Sequence, residues 1–179
     1  MVRIISGTHK SILVHPPKGL PVRPTTDRAK ESLFNILQNQ FDFSQLIVLD
    51  LFSGTGNIAY EFASRGAQAV TAVDVNAKCA AFIRATKQKL QLGQLQVVQQ
   101  DAFTYIKQCQ TQFDIVFCDA PYAHPQMMTL PKLILQANML KPNGWLILEH
   151  PTLLNFELEP GFMQQRVYGQ SCFSIFNPL

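Results

Sequence analysis

Leu46-Ile-Val-Leu-Asp-Leu-Phe-Ser-Gly-Thr-Gly56 passes from a continuous apolar run, ending at Asp50-Leu51, into a glycine-rich turn. An unbroken apolar run of this length reads as a strand covered on both faces. The turn leads into a helix that ends near Arg65-Gly66, where the glycine suits a C-terminal cap. The same alternation continues downstream. Ala69–Val73 reads as a strand ending at Asp74, followed by a helix to about Leu92 that Gly93 stops. Leu95–Val98 is a third strand, ending before Asp101, and a short helix covers about Ala102–Cys109. Phe113–Cys118 is a fourth strand, ending at Asp119. A helix around Gln126–Ala137 and a Lys141-Pro-Asn-Gly144 turn precede a fifth strand, Trp145–Glu149, and β-like runs recur near Glu157–Phe162 and Cys172–Phe176. Strand and helix in alternation with short loops predict an α/β fold, a parallel sheet with helices on both faces.

Upstream, Val2–Ser6 and Ser11–His15 predict a small β-hairpin around Gly7. A connector with Pro16, Pro17, Gly19, Pro21 and Pro24 follows. A helix should start near Thr26, capped by Thr25 or Thr26, with Ala29, Leu33, Ile36 and Leu37 on one apolar face. We therefore expect a hairpin and basic connector over 1–24 and a main domain over 25–179.

The chain has 179 residues, of which 47% are hydrophobic, enough for a core without disulfide or metal and too many for a disordered protein. No apolar run approaches the ~18 residues of a membrane span, and residues 1–15 do not read as a signal peptide. A soluble cytoplasmic protein is expected. Cys79, Cys109, Cys118 and Cys172 form no C-x-x-C pair and lack a nearby histidine at zinc-ligand spacing, so they read as structural thiols, with no metal expected. The net charge of +3 is uneven. Residues 1–32 hold six basic side chains (Arg3, Lys10, Lys18, Arg23, Arg28, Lys30) against Asp27 and Glu31, while the remainder holds nine basic and ten acidic. A basic segment beside a near-neutral domain suits either a polyanion or an ordinary solvated surface.

In a doubly wound sheet, ligands bind outside the carboxyl ends of the strands. Asp50, Asp74, Asp101 and Asp119 stand at four such ends and should converge on one crevice. The turn resembles a nucleotide-binding G-x-G-x-x-G with Ala59 in the third place, and Gly54 and Gly56 let a ligand approach the backbone. Asp74 can accept hydrogen bonds from ribose hydroxyls or cap a helix starting near Asn76. Asp101 with the Ala102 amide can meet an adenine edge or, again, cap a helix. Asp119-Ala-Pro-Tyr122 places an acceptor, a turn and an aromatic ring together. An amine on a planar base can donate to Asp119 and to a carbonyl of Ala120 or Pro121 while Tyr122 stacks on the ring; equally, Asp-x-Pro forms ordinary turns.

The chain resembles the bacterial 16S rRNA guanine-N2 methyltransferases of the RsmD family over nearly its whole length. The resemblance lies in Arg3-Ile-Ile-Ser-Gly7, Arg23-Pro-Thr-Thr-Asp-Arg28 with Glu31-Ser-Leu-Phe-Asn35, Val48–Gly56, Ser64-Arg-Gly-Ala67 and Phe113–Tyr122. It implies a Rossmann-like seven-stranded methyltransferase sheet with its last strand antiparallel. It implies S-adenosylmethionine as cofactor and a guanine amine of 16S rRNA, guanine 966, in a small-subunit particle as acceptor. Asp50, Phe52, Ser53, Gly54, Thr55 and Gly56 would hold the methionine part, Asp74 with Val75 beside it the ribose, and Asp101 with Ala102 the adenine. Asp119, Pro121 and Tyr122 would hold the target amine, Asp119 also facing the cofactor. Thr25, Thr26 and Arg28 would close over the cofactor or guide RNA, and Arg3, Lys10, Lys18 and Arg23 would meet phosphates. A monomer is expected. The family reads Asp-Pro-Pro-Tyr or Asp-Pro-Pro-Phe where this chain has Ala120, which keeps the carbonyl but not the fixed φ. Two other readings stay open: a methyltransferase for another amine (DNA adenine or protein glutamine), and a cofactor- or RNA-binding module weakened in catalysis by Ala120.

Overall fold

The alternating strands and helices form one seven-stranded sheet in the computed structural model, which describes residues 1–20 and 25–177. Two short strands, β1 (Val2–Arg3) and β2 (Leu13–Val14), pair antiparallel as the N-terminal hairpin. Then follow α1 (Asp27–Gln40), β3 (Ile47–Leu51), α2 (Asn57–Ser64), β4 (Ala69–Asp74), α3 (Ala77–Lys89), β5 (Leu95–Gln99), α4 (Ala102–Gln108) and β6 (Phe113–Cys118). The chain ends with α5 (Leu130–Gln136), β7 (Leu140–Pro151), β8 (Phe162–Tyr168) and β9 (Ser171–Phe176). The spatial order is β5-β4-β3-β6-β7-β9-β8, with β9 antiparallel to both neighbours. The chain winds outward from β3 to β5 and returns to the other flank of β3 as β6. Loops therefore diverge at the carboxyl edge between β3 and β6, which leaves the crevice that this topology places there.

Period-two alternation separates two cores. Val48, Val70, Ala72, Ile115, Phe117 and Ile147 face one side, under Leu33, Phe34 and Leu37 of α1 and Phe62 of α2. Leu49, Leu51, Val73, Val116, Leu146 and Leu148 face the other, under Ile106 of α4 and Ile134 of α5. The hairpin joins the first core through Val2, Ile4 and Val14. Among the described residues no helix is long and apolar enough to cross a membrane.

Buried polar groups seat the hairpin. Glu61 on α2 accepts the Ile5 and Ser6 amides at 2.8 and 3.0 Å and pairs with Arg65 at 2.9 Å and Lys30 at 3.2 Å. Lys30 donates to the Arg3 carbonyl at 2.6 Å and to Asn57 Oδ1 at 2.7 Å. Gly7 has φ +84° against the Ser64 carbonyl, where a Cβ would collide with the α2 backbone.

Several elements differ from expectation. The hairpin strands are shorter, because from Ile4 the arm turns toward α2, keeping two backbone bonds, Ile4 to Ile12 and Ser11 to Ile4. Helix α3 stops at Lys89, because Gln91 adopts φ +54° before Gly93 is reached. The helix expected over Gln126–Ala137 opens as a 3-10 turn, Met127–Thr129, and becomes α-helical only at Leu130. Lys141–Gly144 is an excursion inside β7: Leu140 pairs with Phe113 and Trp145 with Ile115, so four residues oppose Asp114 alone. The run near Glu157–Phe162 is not a strand; pairing begins at Phe162 and continues through the more polar Met163–Tyr168 at the sheet edge.

Candidate active site

A cavity of about 430 Å³ opens at the carboxyl edge, within the range of small-molecule sites. Asp50 at the end of β3, Asp74 at the end of β4 and Asp119 just after β6 all line it. The turn between β3 and α2 is its floor. Phe52, Gly54 and Gly56 have φ of +59°, +53° and +80°. Gly56 caps α2 in the left-handed region, and a Cβ there would stand 2.7 Å from the Tyr60 ring. The Ser53 hydroxyl donates to the carbonyls of Asp50 and Val73 at 2.7 and 3.0 Å, so its side chain braces the turn.

Asp74 accepts the Gly54 amide at 2.7 Å and the Asn76 amide at 2.8 Å. It thereby ties the glycine turn to the second strand tip. The α3 cap is Asn76, which accepts the Lys78 and Cys79 amides, and Asp74 makes the turn before it. Asp50 is 2% exposed and accepts the Ala59 amide at 3.2 Å. Burial, with the Asp74 charge adding to it, pushes its carboxyl up to about 8, against the opposing Ala59 hydrogen bond. The Cys79 thiol, also in the lining, is pushed up to about 11 by burial and then by Asp74.

Asn57, Ile58, Phe117, Glu149 and Ser171, none of them among the expected site residues, also line the wall, although Glu149 carries the same signal as the four aspartates, an acid at the carboxyl end of a strand. Thr25 Oγ1 donates to Glu149 Oε2 at 2.6 Å, and Asn57 Nδ2 donates to the Thr25 carbonyl at 3.0 Å. With Lys30 on Asn57, a chain of buried hydrogen bonds joins the hairpin to the cavity. Thr26, at the rim, caps α1 by accepting the Ala29 amide. Tyr122, 36% exposed, shares a 2.7 Å hydrogen bond with Ser171. Ala120 is buried and Pro121 exposed in the same rim.

Phe52, Ser53, Gly54, Thr55, Asp74, Val75, Asp119, Pro121 and Tyr122 thus surround one space, as does Asp50. Gly56, Asp101 and Ala102 do not line it: Gly56 lies behind the turn as the α2 cap, and Asp101 caps α4, accepting the Thr104 amide and hydroxyl at 2.8 and 2.9 Å. Beside Asp101 and Ala102, Phe103 stacks on His124 at 4.9 Å, and Phe52 stands 6.0 Å from Phe103. Of the basic residues, Lys10, Lys18 and Arg28 are exposed, and Arg3 pairs with Asp27 at 2.7 Å. Lys30 is fully buried, so it adds nothing to a basic surface. Arg23 lies outside the described residues.

Four acidic side chains (Asp50, Asp74, Asp119 and Glu149) around an otherwise largely apolar space suit a cationic ligand. The left-handed turn and the α2 terminus suit the polar end of an amino-acid moiety. These residues fit S-adenosylmethionine, a sulfonium with an ammonium. A β5-β4-β3-β6-β7-β9-β8 sheet with β9 reversed and this turn after β3 defines a methyltransferase dependent on that cofactor.

The chain belongs to the RsmD family: the family model described as "Conserved hypothetical protein 95" matches residues 2–177. It is 34% identical over 152 residues to the ribosomal RNA small subunit methyltransferase D of Haemophilus influenzae, covering 83% of this chain and 78% of that one. It is 29% identical over 184 residues to the protein of that name from Escherichia coli K12, covering 98% and 89%. Among solved structures, yhhF from Escherichia coli superposes with TM-score 0.86 at 25% identity, covering 99% of this chain and 97% of that one. The magnesium protoporphyrin IX methyltransferase of Synechocystis, solved with bound SAM, shares the fold at TM-score 0.67 and 17% identity, covering 85% and 79%.

Proposed function

We propose that this chain methylates the exocyclic N2 amine of a guanine in 16S rRNA, by family guanine 966, within a small-subunit particle, acting as a single cytoplasmic chain. The observation that carries the reading is the shared cavity: acids from three strand tips and the Asp-Ala-Pro-Tyr loop open on one space. Relatives named ribosomal RNA small subunit methyltransferase D support the substrate class.

When bound, S-adenosylmethionine supplies a methyl carbon made electrophilic by its sulfonium. Phe52–Gly56 and Asp50 would hold the methionine portion, and Asp74 with Val75 the ribose. Asp101 and Ala102 would meet the adenine, with the Asp101 carboxylate sharing its remaining lone pairs beyond the Thr104 contacts. A guanine amine is a weak nucleophile because its lone pair is delocalised into the ring. The Asp119 carboxylate and the carbonyl of Ala120 or Pro121 would accept its two hydrogens and draw the nitrogen toward a tetrahedral shape. Tyr122 would stack on the base, and the lost proton would pass to Asp119 or to water. Alignment supplies much of the rate, since positioning alone contributes about 7–11 kcal/mol in favourable cases. Lys10, Lys18, Arg28 and Arg3, with Arg23, would bind the RNA backbone.

The test offers labelled cofactor to small-subunit particles, DNA and protein in competition and maps the RNA by mass. The label is expected on one guanine of the particle. Asp119→Ala should lower incorporation by roughly 10²–10⁴-fold, the usual span for a group that handles the reacting proton. Undiminished turnover in Asp119→Ala, or label on DNA or protein instead, would overturn the reading.

A further inference from the structure

The sequence assigns no role to the C-terminal hairpin, yet its first inner-strand residue reaches the cavity. Strand β9 is antiparallel to β7, with Ser171 opposite Pro151. That reversal puts the start of β9, rather than its end, at the carboxyl edge where the parallel strands finish. Ser171 Oγ meets Tyr122 Oη at 2.7 Å across 49 residues of chain, and both residues line the cavity.

We propose that Ser171 is a positioning residue for the methyl acceptor, acting through Tyr122; this rests on the reading that Tyr122 faces the target base. A tyrosine has two side-chain torsions. Tethered at Cα by its loop and at the hydroxyl by Ser171, its ring loses the freedom to swing toward solvent. The loop is held on its other flank by the stacking of His124 on Phe103. The ring is therefore set in the cavity wall before a base arrives, and the ordering cost falls on folding instead of on binding. The pair is solvent-exposed, so the lost bond is largely replaced by water and its removal should scarcely change stability. A purely structural role predicts a different outcome: a lower melting temperature and unaltered turnover.

Ser171→Ala and Tyr122→Phe remove the two ends of one bond without touching the ring. Each is expected to lower kcat on small-subunit particles about tenfold, in keeping with the cost of small misplacements at reacting centres. Cofactor affinity by calorimetry should stay within about twofold and the melting temperature within a few degrees. The double variant should be no slower than either single variant, because the residues share one interaction, and Ser171→Thr should restore most of the rate. Wild-type turnover in Ser171→Ala, or losses that multiply in the double variant, would overturn the proposal while leaving the methyltransferase reading intact. A wild-type protein that labels no RNA would overturn both.

Discussion

Asp50 shows how one residue trades stability for a site. Its carboxyl is almost fully enclosed, and burial raises its pKa from 3.8 to about 8. The folded chain therefore keeps a proton that the unfolded chain releases above about pH 4, and stability from this group falls as pH rises from about 4 to about 8, then levels. Asp50→Asn keeps an acceptor for the Ala59 amide and removes the titration. Thermal melts at pH 5 and 8 should show the variant a few degrees more stable at pH 8 and less dependent on pH. Above about pH 8, where the wild-type carboxyl is ionised, the same variant should bind S-adenosylmethionine more weakly by calorimetry, since the cation then faces a neutral amide, and wild-type affinity should rise toward pH 8. Equal affinity in the variant would remove Asp50 from cofactor binding. Phe52 is the opposite case for legibility: its φ of +59° is uncommon for a bulky residue, and nothing in its chemistry announces it. The two bonds of Asp74 and the ring partners Phe103 and His124 surround that strained turn.

At the scale of elements, the contact between hairpin, α1 and α2 depends on Lys30. Its ammonium is enclosed among the Arg3 carbonyl, Asn57 and Glu61, and burial lowers its pKa while Glu61 opposes the shift. Lys30→Met leaves Glu61 buried with Arg65 as its remaining ion pair among the described residues. Breaking a buried pair from one side costs about 3–5 kcal/mol, so urea denaturation should show a loss of that order. Loss of the Asn57 contact should also loosen Thr25 and, through it, Glu149. A shift below about 1 kcal/mol would show that the pair is dispensable. Helical periodicity placed the apolar face of α1 well, with Ala29, Leu33 and Leu37 buried, but it could not reveal a lysine in the core, because its partner lies 31 residues away. The β7 excursion is legible as a turn, since Pro142, Asn143 and Gly144 are turn residues, and the strand follows it from Trp145 as expected; that the strand already begins at Leu140 shows only in its pairing with β6.

For the whole molecule, the positive charge of the N-terminal segment is smaller at the surface than in the sequence, since Lys30 is buried and Arg3 is paired. Lys10, Lys18 and Arg28 remain exposed. Replacing all three with alanine should flatten the dependence of log affinity for RNA on log salt by about 2, each phosphate contact contributing roughly 0.7 on single strands. An unchanged slope would move the RNA path elsewhere. Deletion of the hairpin, by contrast, should destabilise the fold itself, because it strips Val2, Ile4 and Val14 from the core and the Ile5 and Ser6 amides from Glu61.

The linear order of residues determined the fold class, the sheet's winding and the glycine turn, because burial on both faces, helical periodicity and strand-end acids are local patterns that survive without a third dimension. It also selected most of the candidate site. Asn57, Glu149 and Ser171 entered only through tertiary structure. Ser171 reaches the cavity by strand reversal, and Asn57 and Glu149 are tied to it through long-range hydrogen bonds with Thr25, and such relations between distant segments leave no periodic trace in the residues themselves. Tertiary structure likewise shows Asp101 capping α4 beside the cavity, a contact that a strand-end aspartate does not announce in the sequence.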